Sequence, residues 1–157
     1  MKSLPLQIRE ASGADLPALL ALYQYLVSGE EPPPPEVALS ILDRFLLYPG
    51  SAILVGEVDG LLIVSCTLVV VPNLTRGGRP YGLIENVVTH GDFRKRGYGK
   101  QILNSAATAA WNAGCYKVML MTGSGKPETL KFYLDAGFEQ SKTGFQMRKL
   151  PIRPETS

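Results

Sequence analysis

The sequence is poor in the residues that most often announce a function: it has one histidine and two cysteines, and its charges nearly cancel. Cys66 and Cys115 stand far apart inside apolar stretches. A disulfide framework or a cysteine-based metal site is therefore not expected, and both read as buried free thiols. Lysine and arginine number 16 against 14 aspartates and glutamates, a net charge of +2. A nucleic-acid-binding protein would usually be more basic, and no recognition-helix pattern is present. No segment approaches the ~20 apolar residues needed to cross a bilayer, and the opening MKSLPLQIREASG lacks the apolar core of a signal peptide. The expectation is a soluble, cytoplasmic protein with neither nucleic acid nor membrane as partner. With 157 residues and no internal repeat or low-complexity linker, one domain over 1–157 is expected.

What is present is an ordered series of periodic segments. LQIREAS alternates as a strand, and Ser12 or Asp15 can cap a helix over DLPALLALYQYLV with Pro17 in its first turn. The prolines of SGEEPPPPEV end that helix and read as a stiff connector, or as a lid beside a site. A second helix is expected over EVALSILDRFLLY, followed by the hairpin SAILVGEV, Asp59-Gly60, LLIVSCTLVVV. LIENVVTH is a further strand with a single acid, Glu85. From Gly97 to about Ala113, Ile102, Leu103, Ala106, Ala107, Ala110 and Trp111 recur at helical spacing, which places Trp111 in the core, and Gly114 is the stop. YKVMLMT reads as a strand covered on both faces, KPETLKFYLDAG as a short helix, and FEQSKTGFQMRKL as a final hairpin around Thr143-Gly144. The order is β-α-α-β-β-β-α-β-α-β-β.

The stretch DFRKRGYGK joins LIENVVTH to the long helix. Gly97 and Gly99 fall where a helix has unpaired N–H groups, and without a β-carbon they admit a ligand close to the backbone. A helix N-terminus attracts anions, and Arg94, Lys95, Arg96 and Lys100 add formal charge around it. The combination suits a pyrophosphate. The spacing is neither that of a nucleoside-triphosphate loop nor that of a dinucleotide fold. A solvated basic turn is the alternative for such a motif taken alone.

RKRGYG between an apolar strand and a long helix, followed later by LKFYLDAGF, resembles the GNAT superfamily of acetyl-CoA-dependent N-acetyltransferases. Arg94, Gly97 and Gly99 match its R/Q-x-x-G-x-G/A signature, and Phe132, Tyr133, Gly137 and Phe138 match its F-Y-x-x-x-G-F. IENVV and AGCYKVML are similar to stretches of glucosamine-6-phosphate N-acetyltransferases. The resemblance implies an α/β (α+β) GNAT fold: a mixed, mostly antiparallel central sheet of six to seven strands flanked by about four helices. It implies acetyl-CoA as donor, no metal, and a primary amine of a small molecule as acceptor. Backbone amides from Arg94 through Lys95, Arg96, Gly97, Tyr98 and Gly99 to Lys100 would hold the coenzyme pyrophosphate. Val87 and Val88 would pair their main chain with the pantetheine arm, and Tyr133 would donate a proton or hydrogen bond to the leaving sulfur. Relatives are commonly dimeric.

Transfer also needs a neutral amine. Glu85 is the candidate base or ammonium ligand, because partial burial in an apolar strand would make a carboxylate a better base; a solvated strand edge is the alternative for it. His90 reads as structural or as a neighbour of the coenzyme, and Arg76 and Arg79 as a solvated turn. Some positions depart from the family pattern. Lys126 stands seven residues before Tyr133, where many members carry an asparagine that touches the pantetheine. TGSGKPET is longer than its counterpart in the amino-sugar enzymes and lacks their acid after KVML, and Asn86 replaces their usual aspartate. Glucosamine 6-phosphate is therefore the alternative acceptor. A non-catalytic acyl-CoA sensor is the rival reading from another class.

Overall fold

The alternation of the apolar segments is realised as strands wherever a partner ladder covers them. The computed structural model describes residues 5–151. In chain order its elements are β1 (Gln7–Glu10), α1 (Leu16–Tyr23), α2 (Pro35–Phe45), β2 (Ala52–Val58), β3 (Leu61–Val71), β4 (Tyr81–Thr89), α3 (Tyr98–Asn112), β5 (Val118–Met119) and α4 (Pro127–Asp135). They fall into two compact units, Met1–Leu120 and Met121–Ser157.

In the larger unit five strands form one sheet in the order β1-β2-β3-β4-β5. The first three pairings are antiparallel and β4 with β5 is parallel. The expected mixed, mostly antiparallel α/β architecture with four helices is thus found, but with five strands rather than six to seven. Adjacent residues of a strand point to opposite faces, and the two faces take different helices. Leu19 and Leu22 of α1 pack with Ala11, Val55, Leu62 and Val88. On the other face Cys66 Sγ lies 3.9 Å from the Ile102 carbonyl oxygen of α3. Ile102, Leu103, Ala106 and Ala110 are fully buried and form the inward stripe of that helix. Trp111 is 51% exposed, so the expected core role fails. It follows Ala110 by one residue, about 100° round the helix and off the buried stripe.

The strand expected over YKVMLMT shortens to two half-buried residues, and Met121 beyond it is largely exposed. Gly82 accounts for where β5 pairs: a β-carbon there would come within 2.8 Å of Val118 Cγ1, so glycine permits the approach of β5 to β4. Both cysteines are buried and free, as expected.

In the smaller unit α4 begins with Pro127 in its first turn, and Gly137 lies past its end at φ 100°. The Phe138 amide donates to the Tyr133 carbonyl at 3.1 Å, closing the helix. Among the described residues no strand follows Met119, so the expected final hairpin over FEQSKTGFQMRKL is absent. Phe145 and Met147 are almost wholly exposed there. Alternation makes a strand only when one face is buried, and here neither is.

Candidate active site

The site is built where β4 leaves the sheet on one side and enters a glycine-capped helix at its end. On the β3 side the register runs Leu68↔Ile84 and Thr67↔Glu85, then slips, and resumes at Ser65↔Val88 and Val64↔Thr89. Asn86 and Val87 thus oppose the single residue Cys66, a β-bulge, and Asn86 takes φ 53° to make it. On the other side β5 pairs only with Gly82 and Leu83. From Ile84 to Thr89 that edge carries no strand among the described residues. A bare strand edge offers main-chain donors and acceptors to an extended ligand with amides of its own. Val87 and Val88 lie on this stretch, with the Val88 side chain buried in the α1 cluster.

Beyond Thr89 the chain forms a short 3-10 turn, Gly91–Phe93, and then an exposed arc through Arg94, Lys95 and Arg96 to Gly97. Lys95 at φ 61° and Gly97 at φ 85° are both left-handed. Gly97 is the N-cap of α3, and nothing lies within 4 Å of where its β-carbon would be. The space that a ligand would use is open. The Gln101 amide donates to the Gly97 carbonyl at 3.2 Å. The amides of Gly99 and Lys100 lie in the turn that precedes that bond, where a helix has no carbonyl of its own one turn back.

The basic side chains of the loop divide their work. Arg94 is turned inward, its Nε toward the Thr89 carbonyl and its Nη2 toward the Tyr25 carbonyl, each at 3.4 Å. The Arg96 guanidinium lies over the Phe93 ring at 5.2 Å. Lys95 and Lys100 are exposed. Tyr98, expected among the coenzyme contacts, has a fully buried side chain, so any contact it makes is through its backbone.

Glu85 is exposed, and the partial burial expected of it is not found. The physical reason is its place in β4: its outer edge carries no strand there, so neighbouring side chains do not close over it. Opposite it, Thr67 is buried and its Oγ1 has no hydrogen-bond partner of ordinary geometry. Burial raises the nearby Tyr23 phenol above its ordinary value, an effect that Thr67 partly offsets. Sequence reasoning missed Thr67 and Tyr23. The one available signal was the run Ser65-Cys66-Thr67, three small polarisable residues at the centre of an otherwise apolar strand.

Tyr133 and Lys126 belong to the smaller unit. The Tyr133 ring packs at 5.0 Å from Phe132 and 6.4 Å from Phe138, edge-on to the latter. The two phenylalanines of the F-Y-x-x-x-G-F pattern therefore hold the tyrosine ring in place. Lys126 is the N-cap residue of α4, and its amide donates to Ser124 Oγ at 3.2 Å. Among the described residues no cluster of three or more His, Cys, Asp or Glu is arranged to hold a metal ion.

The model of the acetyltransferase (GNAT) family matches residues 19–138. The glucosamine 6-phosphate N-acetyltransferase of Trypanosoma brucei brucei is 31% identical over 135 residues, 85% of this chain and 88% of that protein. A solved protein of Agrobacterium tumefaciens strain C58, provisionally titled an acetyltransferase, is 44% identical with a TM-score of 0.86, covering 91% of this chain and 99% of that one. An aminoglycoside N-acetyltransferase solved in complex with CoA shares the fold at a TM-score of 0.77 and 21% identity, over 94% of this chain and 97% of that one.

Proposed function

Because this chain belongs to the acetyltransferase (GNAT) family and uses acetyl-CoA as donor, we propose that it acetylates a primary amine of a small molecule by direct attack, without an acyl-enzyme. The observation that carries the reading is the edge of β4 from Ile84 to Thr89, which no described strand covers, running into the open N-terminus of α3 at Gly97. An extended arm with amides fits the edge, and a pyrophosphate fits the helix end. Acetyl-CoA supplies a thioester, whose acetyl group an amine can take.

The chain's own residues have separate tasks in this reading. Backbone amides from Arg94 to Lys100 bind the pyrophosphate, with Lys95 and Lys100 supplying exposed positive charge. Val87 and Val88 align the arm through their main chain. Glu85 accepts a proton from the amine, directly or through water, or holds its ammonium form; its exposure suits an acceptor that arrives from solvent. Tyr133 donates to the departing sulfur, a role supported by the matched motif and by the fixed ring. Lys126 is assigned to the coenzyme on its position relative to Tyr133.

Direct attack is favoured over an acyl-cysteine route by the state of the thiols. Cys66 is completely buried and its pKa is pushed up to about 12 by burial, and burial also raises Cys115. Neither offers an accessible thiolate near neutrality.

Glucosamine 6-phosphate is the second reading for the acceptor, supported by the Trypanosoma relative at 31% identity. Asn86 and the missing acid after KVML count against it. The test is coenzyme A release across an amine library that includes glucosamine 6-phosphate. Release with one or more small amines is expected. Tight coenzyme binding without thiol release from any amine would mark a sensor instead. A stable acetylated protein in mass spectra after acetyl-CoA alone would overturn direct attack.

A further inference from the structure

We propose that Tyr25 and His90 are a positioning pair that holds the coenzyme loop in its binding conformation. The inference rests on the proposed reading of the loop up to Lys100 as the pyrophosphate site.

His90 is fixed to the sheet by its own amide, which donates to the Ile63 carbonyl at 2.7 Å. Its Nδ1 accepts the Asp92 amide at 3.1 Å, so the imidazole caps the turn that opens the loop. A ring nitrogen that accepts carries no proton, which in a neutral imidazole puts the proton on Nε2. Nε2 lies 3.1 Å from the Tyr25 hydroxyl and so donates to it. The two rings are 4.5 Å apart, and Phe93 closes the far side edge-on at 5.4 Å.

Tyr25 meets the loop in two further ways. A β-carbon on Gly91 would come within 3.0 Å of its ring, so the ring lies directly on the loop backbone. Its carbonyl receives Arg94 Nη2. Tyr25 is itself tied to the end of α1, its amide donating to the Leu22 carbonyl at 3.0 Å. One residue outside the signature thus restrains the loop by a ring contact, a hydroxyl and a carbonyl, and a restrained loop gives up less conformational freedom on binding.

The test uses the whole chain and coenzyme A, titrated calorimetrically. His90→Ala should weaken binding about tenfold, as expected for loss of a cap. His90→Asn, whose side-chain oxygen can still cap the turn, should recover most of that affinity. Tyr25→Ala should also weaken binding, and Tyr25→Phe, which keeps the ring on Gly91, should recover most of the loss. Unaltered binding by either alanine variant would overturn the proposal. Hydrogen exchange of the Asp92 amide in the free proteins gives a separate reading: protection should be lost in His90→Ala and kept in His90→Asn. If wild type binds no coenzyme A while Asp92 behaves in this way, the pair stands and the pyrophosphate assignment falls.

Discussion

Thr67 and Glu85 face each other across β3 and β4, the hydroxyl buried without an ordinary hydrogen bond and the carboxylate open to solvent. Directly opposed residues of an antiparallel pair share one face of the sheet. The bulge at Asn86 begins one residue on. One buried polar group and one exposed acid therefore flank the point at which β4 turns away from its ladder.

Glu85→Gln should lower kcat/KM for the best amine at least about tenfold at neutral pH, the lower range for loss of a general base. Coenzyme A affinity should be unchanged. A fall confined to kcat indicates a base, and a rise confined to KM indicates a ligand of the ammonium. An unaltered kcat/KM removes Glu85 from the site.

Thr67→Val should stabilise the protein by about 1 kcal/mol, because valine keeps the shape and removes a buried hydroxyl that makes no hydrogen bond of ordinary geometry. Urea denaturation checks this. Destabilisation would mean that the hydroxyl is satisfied in solution, for example by Tyr23.

Asn86 is one of few residue types that tolerate φ 53°. Asn86→Val should cost about 1–2 kcal/mol in stability and weaken coenzyme A binding, whereas Asn86→Gly should do neither strongly. Equal coenzyme affinities in the valine variant and wild type would detach the bulge from binding.

Tyr133→Phe keeps the ring between Phe132 and Phe138 and removes the hydroxyl. Turnover should fall about 10- to 100-fold while acetyl-CoA affinity stays within about twofold, as for loss of a proton donor. Equal turnover would cancel the assigned role.

Arg9 joins β1 to the start of α1. Its Nη1 and Nη2 grip Asp15 at 2.7 and 2.6 Å, and it also pairs with Glu57. The Arg9 hydrogen bonds hold the Asp15 carboxyl down at about 2 against 3.8. A depressed acid stabilises the fold above its unfolded value and loses that contribution as pH falls through the folded one. Wild type should therefore lose stability relative to Asp15→Asn between about pH 4 and about pH 2. The difference should be about 1 kcal/mol, given the solvent around Arg9. Parallel pH profiles for the two proteins would argue against the pair.

The readable parts were those specified locally. The Asp59-Gly60 hairpin, Pro17 and Pro127 in first turns, and Gly97 and Gly114 bracketing α3 all depend on the conformational limits of one or two residues. The loop before α3 was readable for the same reason, since it consists of glycines at a helix start with basic neighbours. The failures were matters of partnership. Trp111 fits a helical period but falls off the buried stripe, YKVMLMT is apolar but pairs for only two residues, and FEQSKTGFQMRKL alternates with neither face covered.

From the order of residues alone come the family, the acetyl donor and the succession of elements from β1 to α4, because turns, caps and backbone-binding loops are encoded within a few neighbouring positions. The fold had to supply the rest. The β4 edge that no described strand covers beyond Leu83, the buried Thr67 opposite Glu85, and Tyr25 seated on a loop 65 residues away at His90 each depend on segments distant in sequence. No local propensity specifies such contacts. They arise when sheet register and helix packing bring those segments together.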